Sequence, residues 1–123
     1  MQKPATKDSR VRDLYEQPCI NTPLVDAIKQ EMLSDDAVAE LALKFEILSS
    51  PTRIKIIHAL SRGELCVYDL AQLVGMGESA VSHQLRLLRN HCLAKYRDEG
   101  KMVFYSLGDE FIRRMLEDAV EHL

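Results

Sequence analysis

Tryptophan is absent from the 123-residue chain, and the other aromatics are few, four Tyr and three Phe. Single-stranded nucleic acids are held largely by stacking bases on such rings, so that class of ligand finds few platforms here. No apolar run approaches the ~20 residues needed to span a bilayer, and Met1 to Gln30 lacks the uninterrupted apolar stretch of a signal peptide. A cytoplasmic protein with no membrane partner is therefore expected. Only three cysteines occur, Cys19, Cys66 and Cys92. Being odd in number and widely spaced, they argue against a disulfide framework and leave thiols for packing, metal or redox chemistry. Also missing are a Ser/His/Asp arrangement, a paired carboxylate in a plausible cleft and a Gly-rich phosphate loop. Catalysis has no candidate constellation, and an enzyme is not expected.

What remains is an ordinary balance, 46% hydrophobic and 28% charged with a net charge of -3, enough for one domain to bury a core without staples. Residues 1–33 mix charges with Pro4, Pro18 and Pro23 and show no sustained period, so they read as a flexible N-terminal arm, partly ordered at best. Residues 34–123 read as one folded domain. Ser34-Asp35-Asp36 offers cap chemistry, and Val38, Leu41, Ala42, Phe45 and Leu48 then recur at helical spacing. Ser50-Pro51 opens a second helix whose core is Ile54, Ile56, Ile57 and Leu60, and Gly63 stops it.

Glu64 to Val74 reads as a third helix, Gly75-Met76-Gly77 as a turn, and Glu78 to Asn90 as a fourth helix, the spacing of a helix-turn-helix. Leu93 to Arg97 and Met102 to Leu107 follow as two β-rich runs joined by the four-residue loop Asp98-Glu99-Gly100-Lys101, which makes a wing. Asp109 to Leu123 closes the chain as a helix with Ile112, Met115, Leu116, Ala119, Val120 and Leu123 on one side. The expected fold is mainly α with a small β-hairpin, a winged helix-turn-helix. The apolar stripe of the last helix exceeds what a monomer of this size needs, which points to a homodimer.

On the fourth helix Val81, Leu85 and Leu88 share one face, with Ser79, Ser82, His83, Arg86 and Asn90 opposite. Short hydroxyls, an imidazole and an Arg on the second helix of this motif suit entry into the major groove of double-stranded operator DNA. A merely solvated face is the plain alternative. The wing shifts the balance, because Arg97 and Lys101 flank its tip within reach of phosphate. Net acidity does not oppose this, since residues 78–101 carry five basic against three acidic side chains, while the last helix carries two against five. Segregated charge of this kind suits a protein that binds DNA specifically and lets go.

Cys66 and Asp69, at i and i+3, lie near the start of the third helix, where free backbone N–H groups and the positive end of the helix dipole favour the thiolate and therefore soft-metal ligation. Cys66 also reads as a small hydrophobe at the core's edge. Cys19 has no packing rationale in a polar arm and could join them from a second protomer. Cys92 reads as core-facing, His83 as part of the DNA face, and His58 as a residue of a core helix without a partner.

Four stretches carry a resemblance: Leu48-Ser-Ser-Pro-Thr-Arg-Ile54, Glu64-Leu-Cys-Val-Tyr-Asp-Leu70, Glu78-Ser-Ala-Val-Ser-His-Gln-Leu85 and Gly100-Lys-Met-Val-Phe-Tyr-Ser-Leu107. Over about residues 38–122 the chain resembles the ArsR/SmtB family of winged-helix metal-sensing repressors. Its ELCVYDL run is similar to the ELCV-x-DL helix of the SmtB and CadC branch, whose members bind zinc, cadmium or lead. The resemblance implies a homodimer that represses metal efflux or sequestration genes and leaves its operator when Zn2+, Cd2+ or Pb2+ binds, with Cu+ a further option for a thiolate site. It also implies a site that joins Cys19 of one protomer's arm to Cys66 and Asp69 of the other. Tyr68 and Pro23 stand where relatives carry a second cysteine and a histidine, so water, Glu16 or the Met1 amino group is left to fill the shell. A second family site, between the last helices, is matched by Asp109 and His122. There Phe111 replaces a histidine and the last ligand position falls beyond Leu123, so that site reads as degenerate.

Two rival readings use the same residues. A thiol-redox switch would pair Cys19 with Cys66 as an intersubunit disulfide. A protein-interaction module would use the helix-turn-helix only to dock a partner.

Overall fold

Side-chain caps mark where most of the helices begin. In the computed structural model, which describes residues 20–123, the elements run α1 (Thr22–Glu31), α2 (Asp35–Leu48), α3 (Pro51–Arg62), α4 (Val67–Val74), α5 (Glu78–Asn90), β1 (Ala94–Glu99), β2 (Met102–Leu107) and α6 (Glu110–Glu121). The side-chain oxygens of Asn21, Ser34, Ser50 and Asp109 accept hydrogen bonds from first-turn N–H groups of α1, α2, α3 and α6 at 2.8 to 3.3 Å. Each satisfies an otherwise orphan donor. Two compact units are present, one ending at Val38 and one of Ala39–Leu123, the boundary falling inside α2.

In the larger unit, Ile56, Ile57 and Leu60 of α3, Leu70 of α4, Val81, Leu85 and Leu88 of α5, Leu93 before β1 and Ile112 of α6 are fully buried and make one core. Arginines from elsewhere close two helix C-termini. Arg53 Nε donates to the Ile47 carbonyl at 2.7 Å, and Arg113 Nη1 to the Ser61 carbonyl at 2.6 Å. No buried side-chain N or O among the described residues lacks a partner. β1 and β2 form an antiparallel hairpin in the register Ala94↔Leu107 to Glu99↔Met102.

Several expectations need correction. The arm, read as lacking a period, contains a helix, α1, with Asn21 as cap and Pro23 in its first turn. Proline is tolerated there because first-turn N–H groups have no intrahelical partner. The third helix starts at Val67, not Glu64, because Leu65 is drawn into a β-bridge with Tyr105. The hairpin loop is two residues, since Asp98 and Glu99 pair with Val103 and Met102. Gly100 at φ 61 takes the first loop position, where one class of tight hairpin requires glycine. In α2 only Ile47 is buried, while Val38 and Phe45 are exposed, as is Ile54 of α3. Their periodic spacing is real, but the described chain supplies no surface to cover them. Cys92 is exposed rather than core-facing, because its backbone turns left-handed at φ 61 to end α5.

Candidate nucleic-acid interface and sensor helix

The turn between α4 and α5 is built on Gly75 at φ 72, whose N–H closes on the Ala71 carbonyl at 2.9 Å. Glycine enters that left-handed region without steric cost. Gly77 then caps α5 through its backbone alone. Burial of Val81, Leu85 and Leu88 turns Ser79, His83, Arg86 and Asn90 out to solvent, with Ser82 half-buried among them. The five helix residues expected on the DNA face therefore share one outward surface, rich in donors and without an acid among them.

Behind this helix the chain makes a tight joint. His91 and Cys92 donate to the Leu88 and Arg89 carbonyls, and Leu93 reaches back to Leu88 at 2.8 Å. Gly108 N–H closes on Leu93 at 2.9 Å, and a Cβ on Gly108 would stand 2.8 Å from the Cys92 carbonyl oxygen. The Arg89 guanidinium lies 4.4 Å over the Tyr96 ring, which packs against Tyr105 at 5.9 Å. Arg89, on the flank of the reading face, was not among the expected residues. Its partner Tyr96 lies beyond the helix end, so helical spacing alone gives no signal for the contact.

Lys101 is exposed in the hairpin turn. Arg97 is not free in the same way. Its Nε donates to both Glu64 carboxylate oxygens at 3.1 Å, its Nη1 pairs with Glu99, and its guanidinium sits 4.9 Å from the Phe104 ring. The hydrogen bonds that Arg97 donates to Glu99 and then to Glu64 hold its guanidinium above the ordinary arginine pKa.

Cys66 occupies the N-cap of α4 and is only 7% exposed, while Asp69, in the first turn, is exposed. The Cys66 side chain makes no cap hydrogen bond. Immediately before it, Leu65 exchanges two backbone hydrogen bonds with Tyr105 at 3.1 and 2.8 Å, so the start of α4 is stitched to the wing. Cys19 lies outside the described residues. Among the described residues no group of three or more His, Cys, Asp or Glu side chains is assembled for a metal.

Asp109 and His122 flank opposite ends of α6. A helix rises about 1.5 Å per residue, so one chain does not bring them together. Asp109 caps α6 and pairs with Lys44 at 3.3 Å, and His122 Nδ1 is 2.7 Å from the Asp118 carbonyl. Lys44 also lies 4.9 Å over Phe111, the residue that replaces a ligand in the resembled site. A cavity of about 510 Å³ between α3 and α4 is lined by Lys55, His58, Arg62, Leu65 and Leu73 among others, and by none of the expected site residues.

Residues 50–96 match the family model described as "Bacterial regulatory protein, arsR family". The chain is 41% identical to a Synechocystis protein described as a transcriptional repressor SmtB homolog, over 89% of this chain and 83% of that one. It is 40% identical to a Staphylococcus aureus cadmium resistance transcriptional regulatory protein, a CadC homolog, over 90% and 92%. The solution structure of apo-NmtR aligns with a TM-score of 0.65 at 41% identity, covering 75% of this chain and 80% of that one. The antimony-specific transcriptional repressor AntR aligns at 0.68 and 36% identity, covering 72% and 81%. Among the described residues no helix is long and apolar enough to cross a membrane.

Proposed function

The chain belongs to the arsR family of bacterial regulatory proteins, and we propose that it is a metal-responsive repressor whose apo homodimer binds operator DNA and is released by Zn2+, Cd2+ or Pb2+. Its family consists of transcriptional repressors, and the chain is not an enzyme. The observation that carries the proposal is that one helix-turn-helix holds both parts. α5 presents an outward face of Ser79, Ser82, His83, Arg86 and Asn90, and α4, joined to it through the Gly75–Gly77 turn, carries Cys66 as its N-cap and Asp69 in its first turn.

The donor chemistry fits a soft or borderline divalent ion. Cys66 offers sulfur and Asp69 oxygen, a pairing suited to Zn, Cd or Pb rather than to harder ions. Two donors do not complete a shell, and Cys19 from the arm of a second copy supplies the third in this reading. Cysteine is also a poor N-cap. Ser or Asp at that position would contribute about 1 kcal/mol of helix stability that Cys66 forgoes, so the thiol answers another demand.

In the bound state two recognition faces, one per protomer, meet successive major grooves. Tying an arm to the start of α4 biases the dimer toward an arrangement in which those faces no longer match the grooves. A preference of a few kcal/mol suffices to empty the operator. The exposed apolar residues Phe111 and Val120 of α6, with Leu123 just past its end, supply surface for the dimer in this reading.

The test is fluorescence anisotropy on a duplex selected from a random pool against the fully reduced protein. Stoichiometric Zn, Cd or Pb is expected to weaken binding at least about tenfold, a coupling near 1.4 kcal/mol. Cys66→Ser, which keeps a good cap, is expected to bind DNA and ignore metal. Release of that variant by metal would overturn the site assignment. Metal-independent binding that responds to oxidant, with a Cys19 to Cys66 crosslink by mass spectrometry, would favour the redox switch.

A further inference from the structure

We propose that Glu64 is a positioning residue that holds the wing's Arg97 away from DNA phosphate and ties the availability of that cation to the start of the sensor helix. The inference rests on the DNA-binding reading above and adds to it a residue that touches neither DNA nor metal.

Arg97 stands where a wing contacts the backbone of DNA, yet both oxygens of the Glu64 carboxylate take its Nε hydrogen at 3.1 Å and Glu99 takes Nη1. Phe104 covers one face of the guanidinium at 4.9 Å. Two carboxylates around one guanidinium leave the cluster net negative, so an approaching phosphate meets repulsion where the sequence promises attraction. The grip is not deep. The Arg97 and Glu64 side chains keep 49% and 42% of their exposure, and ion pairs this open are worth little against competing water and salt. Arginine forms bidentate pairs with phosphate as readily as with carboxylate. The clamp therefore biases Arg97 and does not immobilise it, which is what a switchable contact needs.

Glu64 is also attached to the sensing end of the chain. It adjoins Leu65, whose N–H and C=O are bonded to Tyr105 of β2, and it precedes by two residues Cys66, the N-cap of α4. The segment that presents the carboxylate to Arg97 thus presents the thiol to a ligand, and a displacement of the backbone at Cys66 is carried to Glu64. Glu64 and Arg97 lie far apart in sequence, and each alone looks like an exposed charge.

The experiment measures binding to a fluorescein-labelled mixed-sequence DNA duplex across a salt series, with reduced, metal-free protein. A phosphate contact needs no operator sequence, and each one adds about 0.9 to the steepness of log K against log salt. Glu64→Gln, which keeps the side-chain shape, is expected to bind about threefold to tenfold more tightly at low salt, with a slope steeper by about one contact. Glu64→Asp, which restores the charge, is expected to return toward the native slope. On an Arg97→Ala background the Glu64→Gln change should bring no further gain in affinity or slope, a non-additive cycle. A native slope in Glu64→Gln, or a gain that survives loss of Arg97, would overturn the proposal while leaving the DNA-binding reading intact. Absence of salt-dependent duplex binding by the native protein would overturn both.

Discussion

α5 and α1 are amphipathic helices of comparable length, 13 and 10 residues, yet α5 buries Val81, Leu85 and Leu88 whereas α1 buries nothing. Leu24, Val25 and Ile28 of α1 stay exposed, as do Ile20, Met32 and Leu33 beside it. Both helices begin properly, α1 with an asparagine cap and α5 with a glycine turn. The difference lies in what each has to lean on. Helix stability in proteins comes mostly from packing one face, and isolated helices shorter than about 12 to 15 residues are marginal in water. α5 is therefore fixed by packing within its own unit, while α1 has no buried side chain among the described residues.

The sharpest way to break this contrast is to truncate one residue on each helix. Leu85→Ala is expected to cost about 2 to 5 kcal/mol in urea unfolding, because a fully buried side chain leaves a cavity. Leu24→Ala should stay within about 0.5 kcal/mol in the same measurement at low concentration. Equal costs would show that α1 is packed within the monomer after all. A smaller effect concerns the outward face of α5. Arg86→Ala should leave the unfolding midpoint nearly unchanged yet weaken binding to a selected duplex by about 1 to 3 kcal/mol, as loss of one good base contact does. Comparable weakening on every sequence would move Arg86 from reading bases to holding phosphate. The smallest effect is expected at the end of α5, where Cys92 fills a left-handed C-cap position at φ 61 that favours glycine. Cys92→Gly should raise stability by up to about 1 kcal/mol, visible as a higher midpoint, and a lowered one would show that the thiol contributes packing.

Much of the reading module was legible in the sequence because its signals are local. Gly75 and Gly77 bracket the turn, Ser50-Pro51 opens α3, and the apolar residues of α5 repeat at helical spacing, so each can be read within a few residues. α1 escaped the sequence reading, because the prolines scattered through residues 1–33 obscure the helix start at Asn21-Thr22-Pro23. What else escaped depends on distant pairing. Leu65 joins β2 by a single bridge, which leaves no alternation to detect, and this moved the helix start to Val67. Arg97 looked like a free wing cation because Glu64, one of the two carboxylates that hold it, comes from the distant segment between α3 and α4. Cys92 looked apolar and inward because nothing in its neighbours announces a left-handed residue. The candidate metal residues Cys66 and Asp69 could be placed on one helix start, while Cys19 lies outside the described residues.

The Leu65 to Tyr105 bridge also bears on how the protein is made. Closing a loop costs entropy before its contacts repay it, and Leu65 leaves the ribosome well before its partner does. Until β2 has emerged, the residue ahead of Cys66 lacks the two backbone bonds that fix it. A nascent chain halted before Met102 would carry the reading helix with its thiol-bearing neighbour untethered. The start of α4 is thus fixed only after α5 has been made, when β2 completes the wing.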